Sequence, residues 1–345
     1  MKEPVSQKDD LIEDFPQASQ LSSGRSFVGF SGGLDSTVLL DLLCMNGFSP
    51  KVIHVHHGLS PMAGEWALHA KKVADHYGLL CQVIELEGSP SSGESTEAWA
   101  RDARYRAFES CLSSESDMLF LGHHLHDQAE TVLLQLLRGA GPKGLSGMAL
   151  EKPCGKGRLL RPLLSLPRET LERYAKTYLL PKGIHWIHDE SNEDIRFKRN
   201  ALRHEVIPVL RTHFPGCLST LARSARLCAE QEEVLSELLR PKLLSLIHTE
   251  GEVSRFYFKR SLFSEASPLL KRQLLRGWIV SCLSYSVNEK HLTEIEKLLT
   301  AEHWSKSIIS LGSVKMPKSS QGKGEVFFIR EKDALVLKST STDLD

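Results

Sequence analysis

The chain has 345 residues, 41% of them hydrophobic, with 43 Lys plus Arg balanced by 43 Asp plus Glu. That length suits two domains, and the apolar share suits globular units able to bury a sizeable core. The charge balance excludes a global polycation, so any nucleic-acid contact must come from local patches, and no apolar run approaches the roughly 18 residues of a membrane span.

At the N-terminus, Glu3, Asp9, Asp10, Glu13 and Asp14 surround no apolar core, which argues against a secretory signal or a transit peptide. Residues 1–23 read as an extension. The seven cysteines (44, 81, 111, 154, 217, 228, 282) are scattered, odd in number and never spaced C-x-x-C. They read as small core residues in a reducing, cytoplasmic setting, with no zinc or iron–sulfur ligand set among them.

The run from Phe27 to Phe30 predicts a buried strand. It breaks at Ser31-Gly32-Gly33 and leads into Thr37–Cys44, an apolar stretch of helical spacing that stops at Gly47. Strand, glycine turn and helix start aim backbone N–H groups and the positive helix end at one anion. Gly32 and Gly33 permit close backbone approach, Ser31, Ser36 and Thr37 add hydroxyl donors, and Asp35 adds a carboxylate able to hold magnesium. A bare Ser-Gly-Gly turn would be structural. With Asp35-Ser36-Thr37 at the helix mouth it predicts a site for a phosphate-bearing ligand. Neither G-x-x-x-x-G-K-[ST] nor a G-x-G-x-x-G after a strand occurs.

Lys51–His56 predicts a second strand, Met62–Tyr77 a helix, and Leu80–Leu86 a third strand. A Gly/Ser/Pro loop then leads to a helix capped by Ser95 or Thr96 and ending at Leu112. Met118–Gly122 predicts a fourth strand, followed by a helix from about His126 to Arg138. This alternation indicates βαβ units and a parallel sheet with ligands past the strand C-termini. From Gly155 to Pro215 the pattern is a smaller appendage: a strand at Leu159–Leu164, a helix from Pro167 and a polar loop at Asp189–Phe197. The break at Phe214-Pro215-Gly216 sets the expected boundary, giving a nucleotide-binding domain over 24–215 and a second domain over 216–345. Residues 217–300 read as successive helices with a stripe of Leu221, Leu227, Val234, Leu238 and Leu246. After Trp304 come β-prone runs at Ser307–Leu311, Val326–Ile329 and Ala334–Leu337.

The segment His123-His124-Leu125-His126-Asp127-Gln128-Ala129-Glu130-Thr131 follows the fourth strand. Asp127 and Glu130, three apart, share a helix face and could hold magnesium or a cationic substrate. First-turn acids also suit the helix dipole alone, so the sequence leaves both readings open. His54, His56, His57 and the histidines of this segment do not assemble four zinc ligands by spacing. Arg196, Phe197, Lys198, Arg199 and Arg203 form a basic segment with one aromatic, able to grip phosphate while a splayed base enters a pocket. Each arginine alone fits a solvated helix face equally well.

Ser31-Gly32-Gly33-Leu34-Asp35-Ser36 resembles the signature of the N-type ATP pyrophosphatases, which cleave ATP between the α and β phosphates. Further runs follow in order: His54–Leu59, Glu97–Tyr105, His123–Thr131, Leu136–Gly139, Arg161–Leu164, and Asp189–Asn192 through Arg199–Glu205. Over roughly residues 25–210 the series resembles the tRNA(Ile)-lysidine synthase family. The resemblance implies an α/β fold: a parallel-sheet, adenine nucleotide α-hydrolase-like domain followed by a mainly helical C-terminal domain that binds tRNA. It implies ATP-dependent ligation of free L-lysine to C2 of the wobble cytidine in the CAU anticodon of tRNA(Ile), through an adenylated intermediate. By the same resemblance Ser31, Gly32, Gly33, Leu34, Asp35 and Ser36 bind ATP, with Asp35 at Mg2+. Asp127 and Glu130 join Asp35 as catalytic residues and hold the lysine ammonium or share it with magnesium, while Arg104 (with Arg101 on its face), Arg199 and Arg203 contact tRNA. The family reading is compatible with a homodimer and needs no membrane. Three alternatives meet objections. A tRNA thiolase would use paired cysteines, and a glutamine amidotransferase would place Cys where Lys2 stands. A non-catalytic nucleotide- or RNA-binding protein would not need three acids beside a polyanion.

Overall fold

The computed structural model describes residues 15, 24–56, 62–86, 88, 96–250, 253–283, 289–300, 308–315, 323–330 and 333–341. The readings that fall on His57 to Leu59, Ser95, Trp304, Ser307 and most of 1–23 lie outside these residues. The chain divides into two compact units, residues 1–229 and 230–345. No helix among the described residues is long and apolar enough to cross a membrane.

The first unit is built on a six-stranded sheet of order β3-β2-β1-β4-β6-β5. Its strands are β1 (Ser26–Gly29), β2 (Lys51–His56), β3 (Cys81–Glu85), β4 (Met118–Phe120), β5 (Glu151–Cys154) and β6 (Gly157–Leu160). All neighbours run parallel except β5, which returns antiparallel on β6. Helices α1 (Leu34–Met45), α2 (Ala63–His76), α3 (Thr96–Cys111) and α4 (Leu125–Leu137) are the crossovers. Because the order turns about β1, with β2 on one flank and β4 on the other, the β1 and β4 C-termini open into one crevice. The phosphate loop and the His123 segment both lie there.

Helix α1 is unusually buried: Leu34 and every residue from Ser36 to Leu43 are inside. That burial includes Asp41, whose carboxylate accepts from Tyr77 Oη (2.8 Å), Tyr174 Oη (2.7 Å) and Lys182 Nζ (2.7 Å). After the short helix α5 (Pro142–Leu145) comes α6 (Arg168–Tyr174), and the bonds tie α1 to the end of α2, to the last residue of α6 and to Lys182 beyond it. At the other end of the sheet Arg25 grips Asp117, whose carboxyl this bond holds down at about 2 against the opposing effect of burial.

Two sequence expectations in this unit need correction. The strand expected at Leu159–Leu164 ends at Leu160, because Pro162 has no N–H for a ladder and Arg161–Leu164 closes a turn instead. Strand β5 was not expected, since Glu151-Lys152-Pro153 is exposed and polar; its proline is tolerated because the strand lies at the sheet's edge.

In the second unit, β7 (Ile247–Glu250), β8 (Val253–Phe256), β9 (Ile308–Lys315), β10 (Lys323–Arg330) and β11 (Leu335–Ser341) form an antiparallel sheet of order β7-β8-β11-β10-β9. Its core gathers Phe256, Phe328 and Trp278, with Trp278 Nε1 donating to Ser254 Oγ at 2.8 Å. Residues 217–300 are therefore not helix throughout. The β7–β8 hairpin interrupts them; its strands are four residues each and half or more polar, too short and too mixed for a clear period. In the long helix Cys217–Leu246, which spans the 229/230 division, Leu246 is buried as expected. Leu227, Val234 and Leu238 are 49%, 55% and 66% exposed, so that part of the stripe is not core.

Close packing behind the crevice gives a test. A Cβ on Gly122, just past β4, would sit 3.0 Å from the Asp35 backbone carbon and oxygen. Gly122→Ala is expected to destabilise the fold by about 1–3 kcal/mol in urea unfolding. Gly64→Ala on α2, which meets nothing within 4 Å, should be neutral or stabilising.

Candidate active site

The phosphate loop joins β1 to α1 with Gly32 at φ +86, in the left-handed region that glycine alone adopts freely. Gly33 caps α1 in extended conformation and no side chain bonds the first-turn N–H groups. Among the described residues the N–H groups of Leu34, Asp35 and Ser36, left over as at every helix start, meet no side chain and remain available to a ligand. The hydroxyls are ordered around them. Thr37 Oγ1 and Ser36 Oγ donate to the Gly33 carbonyl at 2.9 and 3.0 Å, and Ser36 Oγ lies 3.1 Å from Ser31 Oγ. His54, on β2, supports the loop from below through Nδ1, 2.9 Å from the Phe30 carbonyl oxygen.

Asp35 lies on the first turn of α1. Its Oδ1 is buried without a hydrogen-bond partner, and burial raises its pKa, with His124 partly offsetting the effect. His124 Nε2 stands between two carboxylates, 3.7 Å from Asp35 and 3.5 Å from Asp127. Asp127 also accepts the backbone N–H of His124 at 3.0 Å, which fixes it at the head of α4. Burial pushes Asp127 up, but the charges of His124, Arg199 and His123 outweigh it and hold the carboxyl down at about 2.

Glu130, one turn further, is fully buried. Arg199 Nε and Arg203 Nε donate to its two oxygens at 2.6 and 2.7 Å. Both guanidiniums also reach Asp127 Oδ1, at 3.2 and 3.4 Å. The arginines come from the short helix α7 (Lys198–Ala201) and the wide π turn at Leu202–Val206 that continues it. Asp127, Glu130 and two of the expected arginines thus form one ion-paired cluster beside the loop, and His124 stands between that cluster and Asp35. Arg104, on α3, is half-buried without a carboxylate partner among the described residues. Burial and the nearby cations Arg101 and Arg199 lower its pKa.

The donor set fits magnesium in one way. Asp35 Oδ1 is a hard oxygen lacking a partner, and magnesium needs only one or two carboxylates when phosphate oxygens supply the rest. No group of three or more His, Cys, Asp or Glu among the described residues forms a separate cage. Residue spacing did not single out His124, although it follows β4 directly in a His-His pair. Nor did it single out Ile187, whose N–H donates to the Gly32 carbonyl across a long sequence gap.

A model of the PP-loop domain family matches residues 6–210 of the chain. Among curated relatives, the tRNA(Ile)-lysidine synthase of Vibrio cholerae (strain O395) is 43% identical over 78% of this chain and 60% of its own length. The protein of that name from Enterobacter sp. (strain 638) is 38% identical over 90% of this chain and 71% of its own. The chain therefore spans about 60% of the length of the first of these relatives. Among solved structures, a U34-tRNA thiolase from Methanococcus maripaludis, with its [4Fe-4S] cluster, superposes with a TM-score of 0.54 at 17% identity. The match covers 64% of this chain and 77% of that one, a likeness of fold.

Two measurements probe the cluster. Glu130→Ala leaves two half-buried guanidiniums without their main acceptor and is expected to cost about 1–3 kcal/mol in urea unfolding, with Glu130→Gln costing less. Asp127 titrates at about 2 in the fold against an ordinary 3.8, so its ionisation stabilises the protein above pH 3.8. That gain disappears as pH falls from there through about 2. Across this window the melting temperature should fall more steeply for the wild type than for Asp127→Asn.

Proposed function

The chain belongs to the PP-loop family and sits among its tRNA(Ile)-lysidine synthases, and we propose that it ligates free L-lysine to C2 of the wobble cytidine in tRNA(Ile) bearing a CAU anticodon. In the first step the cytidine O2 attacks the α-phosphate of ATP, forming an adenylated tRNA and releasing pyrophosphate. In the second the lysine side-chain amine attacks C2, loses a proton, and AMP departs with the oxygen. The products are lysidine, AMP and pyrophosphate.

The observation that carries this reading is the unpartnered Asp35 Oδ1 at the mouth of an uncapped helix, with His124 between it and Asp127. Free N–H donors and hydroxyls from Ser31 to Ser36 suit the departing pyrophosphate, where negative charge develops. Magnesium on Asp35 would add positive charge against the same phosphates. Acids that stay ionised can orient the incoming ammonium and relay the proton it sheds, which is the role proposed for Asp127 with Glu130. Both acids already hold guanidiniums, so lysine enters by exchange: its ammonium replaces the hold of Arg199 or Arg203. Arginines so released, with Arg104, which has no carboxylate partner among the described residues, are suited to tRNA phosphates, a local basic footprint on a neutral chain. The 230–345 unit is the proposed contact for the tRNA body. A cytoplasmic location follows from these substrates.

ATP labelled on the α-phosphate, with lysine and tRNA, tests the reading. AMP release should require both tRNA and lysine; nucleotide binding without turnover would support a sensor instead. Asp35→Ala should lower AMP release by about a hundredfold or more, the scale of losing a main electrostatic contact to the developing charge. Full activity in that variant contradicts the mechanism.

A further inference from the structure

After α6 the chain returns through Lys182 and Gly183 and passes the phosphate loop over residues 184–189, which belong to no helix or strand. There Ile187 N–H donates to the Gly32 carbonyl at 2.8 Å. The Gly32–Gly33 peptide is trans, so its N–H points opposite to its C=O. Pinning the carbonyl on Ile187 therefore turns the Gly33 N–H to the other side, where it meets Ser31 Oγ at 3.3 Å. That bond is long for N–H···O and leaves the donor easily recruited by an anion.

This peptide needs a restraint. It lies between two glycines, which lack the Cβ that limits backbone rotation elsewhere. The Ile187 side chain adds a wall: a Cβ on Gly32 would come within 2.7 Å of Ile187 Cδ1. The returning segment is itself anchored at its far end. Lys182 pairs with buried Asp41 at 2.7 Å, and Ile184 is buried while its N–H donates to the Leu179 carbonyl at 3.1 Å.

We infer that Ile187 is a positioning residue: its backbone N–H holds the Gly32–Gly33 peptide so that the Gly33 N–H is presented to the departing pyrophosphate. The inference deepens the nucleotide reading and rests on it. Ile187 touches no reacting atom; it acts through the loop. A side-chain deletion should therefore matter little and an N–H deletion much.

Titration calorimetry of the full chain with inorganic pyrophosphate and magnesium separates the two. Ile187→Pro removes the donor and should weaken pyrophosphate binding about tenfold, the weight of one hydrogen bond to a charged group. Ile187→Ala keeps the donor and should stay within about twofold. The KM for lysine should change in neither, whereas a general loss of structure would move it. Equal losses in both variants, with normal binding by the wild type, overturn the inference alone. A wild type that binds neither pyrophosphate nor ATP overturns the nucleotide reading together with it. Should Ile187→Pro not fold, amide hydrogen exchange on the wild type decides. The Ile187 amide should be protected without ligand, and the Gly33 amide should gain protection when pyrophosphate is added. An unprotected Ile187 amide rules the inference out.

Discussion

The first-turn amides of α1 are left without a side-chain cap, and the rest of the site is arranged around that omission. A helix start normally recruits a serine or aspartate side chain to satisfy these donors. Here the hydroxyls of Ser36 and Thr37 donate to the Gly33 carbonyl instead, which fixes the loop without consuming its N–H groups. Burial of nearly the whole helix keeps that opening rigid: the Asp41 network and the apolar face hold α1 in place while its mouth stays available. Preorganised donors of this kind need no rearrangement when charge arrives.

The acid–arginine cluster obeys a different constraint. A fully buried Glu130 is tolerable only because two guanidiniums satisfy both oxygens. Asp127, less buried and nearer the loop, shares the same cations and also faces His124. The pair is graded: one acid is committed to the interior, the other stands between the interior and the crevice. Under the proposed function this grading suits Asp127 to meet the substrate ammonium and Glu130 to act as the counter-charge that keeps the arginines within reach.

Much of the first unit is legible in the sequence, because its strands are short apolar runs broken by glycine and its helices have clear stops. The parallel order and the loop at the β1 end follow from that alternation. Strand β5 and the β7–β8 hairpin were hidden by their exposed or half-polar composition, and Pro162 cut short a strand that apolar residues suggested should continue. In the site, the types and spacing of Asp35, Asp127 and Glu130 mark them out. The pairing of Asp127 and Glu130 with Arg199 and Arg203 is not marked out, since it joins residues about seventy positions apart. Ile187 is silent in sequence for a plainer reason: it acts through a backbone N–H that every residue except proline carries.

The antiparallel β5 has a consequence for how copies of this molecule can meet. An open sheet edge is a template on which a neighbouring chain can add a strand. On this side the template is four residues long, carries the charges of Glu151 and Lys152, and lacks an N–H at Pro153. Growth of a continuous intermolecular sheet from that border is therefore disfavoured by the same polar, proline-bearing run that made the strand hard to foresee.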